Sequence, residues 1–194
     1  MDENSIESTY WQYVNNLTQA FERVNLTNVN QLAQSLLNTW REQRQFLICG
    51  NGGSAGNAIH LANDFLYGVG CGEVSGMKVE ALPANSSVIS ALANDEGYES
   101  IFSKQINVKG QPGDILLVLS GSGNSPNVVN ALKVANEMEL ETFAILGFDG
   151  GQCLDLAKYP IHFSVDDMQI SEDLQLVVGH MCMQWLSTKR SLVI

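Results

Sequence analysis

The feature that most limits how this chain can fold is a unit that occurs twice: a short apolar strand, a loop of glycine and serine, and a helix. The first unit has its strand at residues 46–49 and its loop at residues 50–54. The second has them at residues 114–119 and 120–125. Repeated units of this kind predict parallel strands joined by crossover helices. Ligands of such sheets bind at the carboxyl ends of the strands, so we expect an α/β fold with a ligand site at the two loops.

The alternation of strands and helices continues through the rest of the chain. Further strands are predicted at residues 78–82, 142–146 and 161–165, and further helices from the first loop to about residue 65, at residues 86–93, from Pro126, and at residues 170–186. Apolar residues at helical spacing predict a helical hairpin formed by residues 6–21 and 29–40. We expect one domain, residues 1–194, in which the hairpin (1–41) precedes an α/β body (42–194). The hairpin can pack on its own domain or, equally, on another subunit.

The charge of the chain excludes some partners. The formal net charge is −11, and only 10 residues are lysine or arginine. A nucleic-acid surface needs clustered cations, so nucleic-acid binding is not expected. No apolar run reaches the roughly 18 residues of a membrane span, and the acidic start of the chain is unlike a secretory signal. We therefore expect no membrane partner and a cytoplasmic location.

The four cysteines do not form a disulfide pattern. Cys49, Cys71, Cys153 and Cys182 include no CxxC pair, and two of them lie in apolar segments. We expect reduced thiols with a structural role.

Each glycine-rich loop allows two interpretations. Glycines let a backbone approach an anion, and Ser120, Ser122 and Ser125 add donors just before the positive end of a helix, so residues 120–125 can hold a phosphate. With so few cations in the chain, a phosphate would be held mainly by hydroxyls and backbone N–H groups. Neither loop is a Walker loop or a GxGxxG motif. Taken alone, each is also compatible with a tight turn that needs glycine.

Two pairs of potential metal ligands stand at helical spacing. His60 and Asp64 are four residues apart, and Glu172 and His180 are eight apart, so each pair shares one face of its helix. Imidazole and carboxylate ligands suit zinc or a similar divalent metal. The alternative is a surface pair at His60 and a core histidine at His180, because spacing does not show that two helices converge. The third histidine, His162, is assigned no role.

In combination, five motifs resemble the phosphoheptose isomerases, a family of the sugar isomerase (SIS) superfamily. The motifs are CGNGGSAGNAIHLAND (49–64), ALANDEGYESIFSKQI (91–106), GDILLVLSGSGNSPNVVNAL (113–132), LGFDGG (146–151) and SEDLQLVVGH (171–180). The resemblance implies a three-layer SIS-type sandwich, with a central, mostly parallel five-stranded sheet between helices and an N-terminal helical hairpin. It also implies a homotetramer with active sites between subunits.

The resemblance also implies an activity and a set of site residues. The activity is isomerisation of sedoheptulose 7-phosphate to D-glycero-D-manno-heptose 7-phosphate, or of a closely related phosphosugar, through an enediol. The implied phosphate site is formed by Ser120, Gly121, Ser122 and Ser125. The implied sugar contacts are Asn51, Gly52, Gly53, Ser54, Asn94, Asp95 and Glu172. The implied zinc ligands are His60, Asp64, Glu172 and His180, and we expect Asp64 to act as the base and His180 as the acid.

The chain departs from the family pattern at five positions. The family usually has Glu, Arg, Thr, Asp and Gln where this chain has Asp64, Gly68, Gly121, Gln169 and Glu172. These changes leave the exact phosphosugar open. Two alternatives to an enzyme are a partner-binding relative of the type that associates with the bacterial replication initiator, and a phosphosugar sensor. His180 favours the enzyme, because the initiator-associating relatives lack this histidine. Sensors are normally fused to a DNA-binding module, for which we expect no room in 194 residues.

Overall fold

The computed structural model of the chain describes residues 5–70, 72 and 74–193, which form five strands and eight α-helices. The strands are β1 (Gln45–Gly50), β2 (Lys78–Ala81), β3 (Ile115–Ser120), β4 (Glu141–Leu146) and β5 (Tyr159–His162). The helices are α1 (Ile6–Arg23), α2 (Leu26–Arg41), α3 (Gly53–Asn63), α4 (Ser86–Asp95), α5 (Ser103–Lys109), α6 (Pro126–Glu137), α7 (Gly151–Leu156) and α8 (Met168–Ser187). A π-helical turn, Asp64–Gly68, continues α3.

The five strands form one parallel sheet. Their order is β2–β1–β3–β4–β5, and every neighbouring pair is parallel. In the pair that carries both loops, Ile48 lies opposite Leu117 and Gly50 lies opposite Leu119. The two loops therefore begin side by side at one end of the sheet. The predicted α/β fold with a central five-stranded parallel sheet is confirmed.

Helices cover both faces of the sheet. Along β3, Ile115, Leu117 and Leu119 belong to the core shared with α1, α2, α3 and α8, whereas Leu116 and Val118 belong to the core shared with α5, α6 and α7. All five residues are buried. Burial on both faces explains why the strands appear in the sequence as continuous apolar runs. The result is three layers with the sheet in the middle.

The N-terminal helices pack on their own domain. Trp40 of α2 is 1% exposed and belongs to the core of the sheet face that α8 also covers. In α1, the hydroxyl of Tyr13 donates to Asp173 of α8 at 2.6 Å. Burial and this bond raise the pKa of Tyr13 above its usual range. In its first half, α1 leaves an apolar stripe exposed, formed by Ile6, Tyr10, Trp11 and Val14.

Three elements differ from the sequence predictions. The last strand begins at Tyr159 rather than Ile161 and ends at His162 rather than Val165. Pro160 suggests a break, but β5 is an edge strand, where a missing N–H costs no ladder bond. Past Phe163, the Val165 N–H bonds back to the Phe163 carbonyl and the strand ends. Helices α5 and α7 were not predicted, because 7 and 6 residues are too short for a clear apolar period.

The described part of the chain contains no helix with both the length and the apolarity to cross a bilayer. Cys49, Cys153 and Cys182 are buried free thiols, as predicted. Burial raises the pKa of all three, to about 12 for Cys153 and Cys182. They therefore remain neutral thiols near pH 7. The fourth cysteine, Cys71, lies outside the described residues.

Candidate active site

Helices α3 and α8 lie side by side and run in the same direction. They approach closely because a glycine lies in the contact at each end of the pair. A side chain at Gly53 would collide with the carboxylate of Glu172, and one at Gly179 would collide with Leu61. The contact between Gly179 and Leu61 brings the neighbouring residues His60 and His180 together. The two helices therefore converge at their histidines.

His60, Asp64 and His180 form one cluster of potential metal ligands. Nε2 of His60 lies 2.9 Å from Nε2 of His180, and Oδ2 of Asp64 lies 3.5 Å from the first nitrogen and 3.2 Å from the second. The side chains of His60 and His180 are 51% and 38% exposed, whereas that of Asp64 is 20% exposed. The cluster is therefore open to solvent on its histidine side.

The donor set of this cluster fits a divalent transition metal. Zinc binds imidazole nitrogen and carboxylate oxygen at about 2.0–2.2 Å, so tetrahedral geometry separates neighbouring ligand atoms by roughly 3.3 Å. The observed separations of 2.9, 3.2 and 3.5 Å bracket that value. Three protein ligands also leave one position for a substrate, as in catalytic sites.

Within the chain, Glu172 lies outside this cluster, which brings together three of the four predicted ligands. Its carboxylate lies against Gly53 in the first turn of α3, seven residues and therefore about 10 Å along the helix from His60. Eight residues of α8 place Glu172 and His180 on one face, but about 12 Å apart along the axis. Glu172 instead lies beside the positive end of α3, which favours its negative charge.

Side chains from other elements hold the first loop. Ser54 is 4% exposed, and its hydroxyl oxygen accepts a 3.0 Å hydrogen bond from Nε2 of Gln175 in α8. Asn51 exchanges two 2.8 Å hydrogen bonds with Asn127 of α6. It also accepts one of 3.1 Å from the hydroxyl of Tyr98. Asn51 and Ser54, the two residues of this loop whose side chains are predicted to contact the sugar, are therefore fixed in orientation.

The second loop is held by bonds within itself and by backbone N–H groups that follow β4. Gly147 donates to the Gly121 carbonyl and Cys153 to the Gly123 carbonyl, both at 3.0 Å, and Gln152 donates to Oδ1 of Asn124 at 3.1 Å. The hydroxyl oxygen of Ser120 accepts from the Gly123 N–H at 3.0 Å, and that of Ser122 accepts from the Asn124 N–H at 3.4 Å. Ser125 is the N-cap residue of α6, but its side chain makes no capping hydrogen bond. A hydroxyl that accepts can still donate its own proton. The three serines therefore keep O–H donors for an anion at the positive end of α6.

A cavity of about 560 Å³ adjoins the second loop. Its lining combines the loop with the turns that follow β4 and β5, through Ser122, Asn124, Phe148, Asp149, Ser164 and Asp166. This volume suits a small polar ligand such as a phosphosugar. Gly121 does not line the cavity, because the thioether of Met168 lies over it, with Sδ 2.7 Å from where a Cβ would be.

Asn94 and Asp95 lie at the end of α4. The side-chain amide of Asn94 donates to Asp95 at 2.7 Å, and both residues are exposed. Tyr98, three residues beyond Asp95, bonds to Asn51. The segment that carries Asn94 and Asp95 is therefore attached to the first loop.

Known proteins with similar sequences identify the family. The SIS domain family matches residues 9–147. The phosphoheptose isomerase of Nitratidesulfovibrio vulgaris is 38% identical over 168 residues, which are 87% of this chain and 80% of that protein. The phosphoheptose isomerase of Synechocystis is 35% identical over 169 residues, 87% of each chain. The chain belongs to the phosphoheptose isomerase family.

Solved structures of phosphoheptose isomerases share the fold. The enzyme of Neisseria gonorrhoeae aligns with a TM-score of 0.86 and 26% identity, over 94% of this chain and 97% of that one. The enzyme of Francisella tularensis aligns with a TM-score of 0.87 at 22% identity, over 97% and 99% of the two chains, and shows the likeness of fold alone.

The positions at which this phosphoheptose isomerase sequence is unusual surround the site. Asp64 is part of the histidine cluster, and Glu172 covers Gly53. At Gly68, the nearest heavy atom to a built Cβ is Sδ of Met183 at 4.0 Å, so the space for a side chain is open. Gly121 is covered by Met168. Of the five unusual positions, Asp64 and Glu172 therefore alter the carboxylates beside the metal cluster and the first loop, and Gly68 leaves space for a side chain.

Sequence reasoning missed three residues that hold the predicted contacts in place: Tyr98, Asn127 and Gln175. Asn127 and Gln175 are each 1% exposed. Gln175 interrupts the apolar face of α8 that Leu174 and Val178 help to form, and a buried polar side chain of this kind needs a partner. That interruption is the signal that could have identified it. For Tyr98, which is 55% exposed, we find no such signal.

Proposed function

We propose that this chain is an aldose–ketose isomerase that converts sedoheptulose 7-phosphate to D-glycero-D-manno-heptose 7-phosphate or acts on a closely related phosphosugar. The observation that carries this proposal is the cluster of His60, Asp64 and His180, in which two helices bring acid–base groups together. Membership of the phosphoheptose isomerase family supports the reaction, since the similar proteins named above bear that name.

The reaction moves a proton between two neighbouring carbons, and the cluster has the groups for this. Asp64 takes the proton from C1 of the ketose, and that electron pair forms the C1–C2 double bond of the enediol. His180 gives a proton to the oxygen on C2 from Nδ1, because Nε2 is its nitrogen in the cluster. In the second half, His180 takes the proton of the hydroxyl on C1, and Asp64 returns its proton to C2. Atoms and electrons balance without an oxidant.

We propose zinc as the metal of the cluster, with His60, Asp64 and His180 as its ligands. A divalent ion bound there would polarise the substrate carbonyl and favour the negative charge that develops on its oxygen. His60 also lies 2.9 Å from His180 and limits the orientations of that ring. The proton transfers themselves are assigned to Asp64 and His180.

The two loops are proposed to bind the two ends of the substrate. The phosphate is held by the hydroxyls of Ser120, Ser122 and Ser125 and by the backbone at Gly121. The sugar is contacted by Asn51, Gly52, Gly53, Ser54, Asn94, Asp95 and Glu172. The free O–H donors of the second loop and the fixed side chains of the first support this division. The carboxylates of Asp95 and Glu172 suit sugar hydroxyls, which are donors.

We also propose that the protein is cytoplasmic and forms a homo-oligomer, with a tetramer as the expected state. The exposed apolar stripe of α1 supports an assembly contact, because exposed apolar patches of this kind mark interaction sites. Trp11 is 54% exposed within this stripe. Light scattering on the wild type and on Trp11→Glu tests the proposal. A wild type that is monomeric at micromolar concentration contradicts it.

The isomerase is tested by assaying the purified protein with sedoheptulose 7-phosphate and with shorter ketose phosphates. His180→Ala removes the proposed acid, and we expect kcat to fall by about 100-fold or more. His162→Ala is the matched control, since His162 bonds the Phe148 carbonyl at 3.0 Å and lies outside the cluster. We expect this control to keep its activity within about threefold.

The metal is tested separately by elemental analysis and by chelation. We expect about one zinc per chain in the wild type and less in His60→Ala. Removal of the metal should abolish activity, and added zinc should restore it. Full activity after complete chelation, or in His180→Ala, contradicts the mechanism.

A further inference from the structure

A pair of asparagines joins the two loops at their bases. Asn51 is the first residue after β1, and Asn127 is the second residue of α6, just beyond the second loop. Nδ2 of each side chain donates to Oδ1 of the other at 2.8 Å. Asn127 is 1% exposed, so little water competes for its share of the pair. Because β1 and β3 are neighbours in the sheet, this pair ties together the two loops that they carry.

The orientation of both amides is determined by the backbone. The N–H of Val128 donates to Oδ1 of Asn127 at 2.9 Å, so this end of the Asn127 side chain must be the oxygen. Its nitrogen then faces Asn51, which must present Oδ1 in return. The hydroxyl of Tyr98 donates to the same Oδ1 of Asn51 at 3.1 Å. Asn51 is therefore held from two sides.

These bonds leave one N–H donor of the Asn51 side-chain amide available for a ligand. Its Oδ1 accepts from both Asn127 and Tyr98, and one of its two N–H donors is taken by Asn127. An amide nitrogen has a second N–H. This second donor has a fixed direction, because the amide cannot turn over without losing both bonds to Asn127.

We propose that Asn127 is a positioning residue of this site, which orients the amide of Asn51 so that its free N–H points at an oxygen of the sugar. Tyr98 is the second support of the same amide. The inference rests on the proposed function, in which Asn51 contacts the sugar. Asn127 is buried and acts through Asn51, so its effect on the reaction comes from the position of the amide.

Asn127→Asp tests the proposal, because protonation can restore what the substitution removes. In its ionised form, the introduced carboxylate has no N–H and places a negative oxygen against Oδ1 of Asn51, which turns the amide. In its protonated form, the introduced carboxyl group can donate to Oδ1 and accept from Nδ2, which rebuilds the pair. Burial raises the pKa of the introduced carboxyl, whereas the Val128 N–H and the positive end of α6 lower it, so this pKa is first measured in the variant by carbon-13 NMR.

The expected result is a loss of activity that depends on pH. Relative to the wild type at the same pH, kcat/KM should be lower by about tenfold or more near pH 8. It should return to within about threefold at a pH below the measured pKa of the introduced carboxyl. Taking the ratio cancels the titration of His60, Asp64 and His180, which both proteins share. The assays are run where circular dichroism shows both proteins fully folded.

Asn136→Asp is the matched control. Asn136 lies on the same helix, nine residues later, and its Nδ2 donates to the Leu156 carbonyl at 2.9 Å. The substitution removes a comparable bond far from the loops. We expect its activity ratio to stay constant between the two pH values. A pH-dependent ratio in Asn136→Asp, or one that does not change with pH in a folded Asn127→Asp, overturns the proposal.

Tyr98→Phe provides a second test that does not depend on the folding of Asn127→Asp. Tyr98 is 55% exposed, so loss of its hydroxyl should leave the fold intact. We expect affinity for sedoheptulose 7-phosphate to fall about threefold to tenfold. Affinity for inorganic phosphate should not change, because the serine loop is untouched. Equal loss for both ligands in calorimetry, or no loss for either, contradicts the role of Tyr98 as a support.

The binding measurements also separate this inference from the proposed function. A wild type that binds the sugar phosphate without converting it would disprove the isomerase, and the affinities of Asn127→Asp at the two pH values would then decide the inference alone. A wild type that binds neither the sugar phosphate nor inorganic phosphate overturns both.

Discussion

The two glycine-rich loops have similar sequences and follow neighbouring strands, yet they are held in different ways. The first loop depends on side chains from other elements: Asn51 is bonded to Asn127 and Ser54 to Gln175. The second loop depends on backbone groups: Ser120 and Ser122 accept hydrogen bonds from N–H groups three and two residues later, and the N–H groups of Gly147 and Cys153 donate to the Gly121 and Gly123 carbonyls. The same composition therefore gives one loop oriented by distant side chains and one held by backbone groups.

We propose that this difference fits the loops to different tasks. A turn held by backbone groups, with free hydroxyl protons, suits a phosphate, whose oxygens accept from any direction. A loop oriented by α6 and α8 suits the sugar, whose hydroxyls and carbonyl must be held in one pose for proton transfer. Changes to the first loop should therefore cost stability as well as activity. Changes to the second loop should mainly affect phosphate affinity.

The largest effect is expected for Gly50→Ala, which forces a methyl group between the first loop and β3. A Cβ at Gly50 would lie 2.7 Å from the backbone oxygen of Leu119 and 2.8 Å from Cβ of Ser54. Since neither neighbour is a flexible side-chain end, we expect a loss of about 3 kcal/mol or more in the free energy of unfolding, measured by urea denaturation.

Gly56→Ala is the control for this first-loop substitution. Gly56 lies in α3, and a Cβ there meets nothing within 4 Å. Alanine is the better helix former, so we expect a gain of up to about 1 kcal/mol. If Gly50→Ala were as stable as the wild type, the first loop would not be packed as closely against β3 as described here.

Ser54→Ala is expected to have the next largest effect, again on stability. It leaves Nε2 of Gln175 without its partner in a buried position, which costs about 1–3 kcal/mol. Replacing both partners, as in Ser54→Ala with Gln175→Met, should recover part of the loss, because the buried Nε2 donor is removed with its acceptor. The recovery is incomplete, since Nδ2 of Asn57 loses Oε1 of Gln175 and keeps the Glu172 carbonyl. If the double variant lost more free energy of unfolding than the two single variants together, this bond would not hold the first loop.

The comparison also explains what the sequence could and could not predict. The turn of the second loop was predictable because the bonds of Ser120 and Ser122 link residues two or three apart, and turns of this kind are encoded locally. Its bonds to Gly147 and Cys153 were not predictable in this way. The parallel sheet was predictable because strands and helices alternate. The pairing of His60 with Asp64 follows from helical spacing, and its convergence with His180 became an expectation only through the family resemblance.

The supports of the first loop could not be predicted in this way. Asn51 and Asn127 are 76 residues apart, and Ser54 and Gln175 are 121 apart, so their contacts exist only once the sheet and helices have assembled. The separation of Glu172 from the histidine cluster has a similar origin. Helical periodicity gives the face on which a side chain lies, but not the level along the partner helix that it reaches.

Ser125→Ala tests the second loop, where the expected effect is on binding. The Ser125 side chain makes no capping hydrogen bond, so we expect the free energy of unfolding to change by less than about 0.5 kcal/mol. Affinity for inorganic phosphate and for sedoheptulose 7-phosphate should fall together, by about tenfold, because the lost donor faces the phosphate. Calorimetry with both ligands measures this, and Ser187→Ala in α8 is the control. A loss of stability like that expected for Ser54→Ala would remove the difference between the loops.

The smallest effect is expected for Gly121→Ser, which places a side chain in the second loop. A Cβ there would lie 2.7 Å from Sδ of Met168, the flexible end of a side chain that is 40% exposed. Gly121 does not have a positive φ, so the backbone accepts serine without strain. We expect a loss below about 1 kcal/mol, which Met168→Ala in the same chain should remove. If Gly121→Ser were instead as damaging as Gly50→Ala, and Met168→Ala gave no relief, the second loop would be as tightly constrained as the first. The division of phosphate and sugar binding would then need another physical basis.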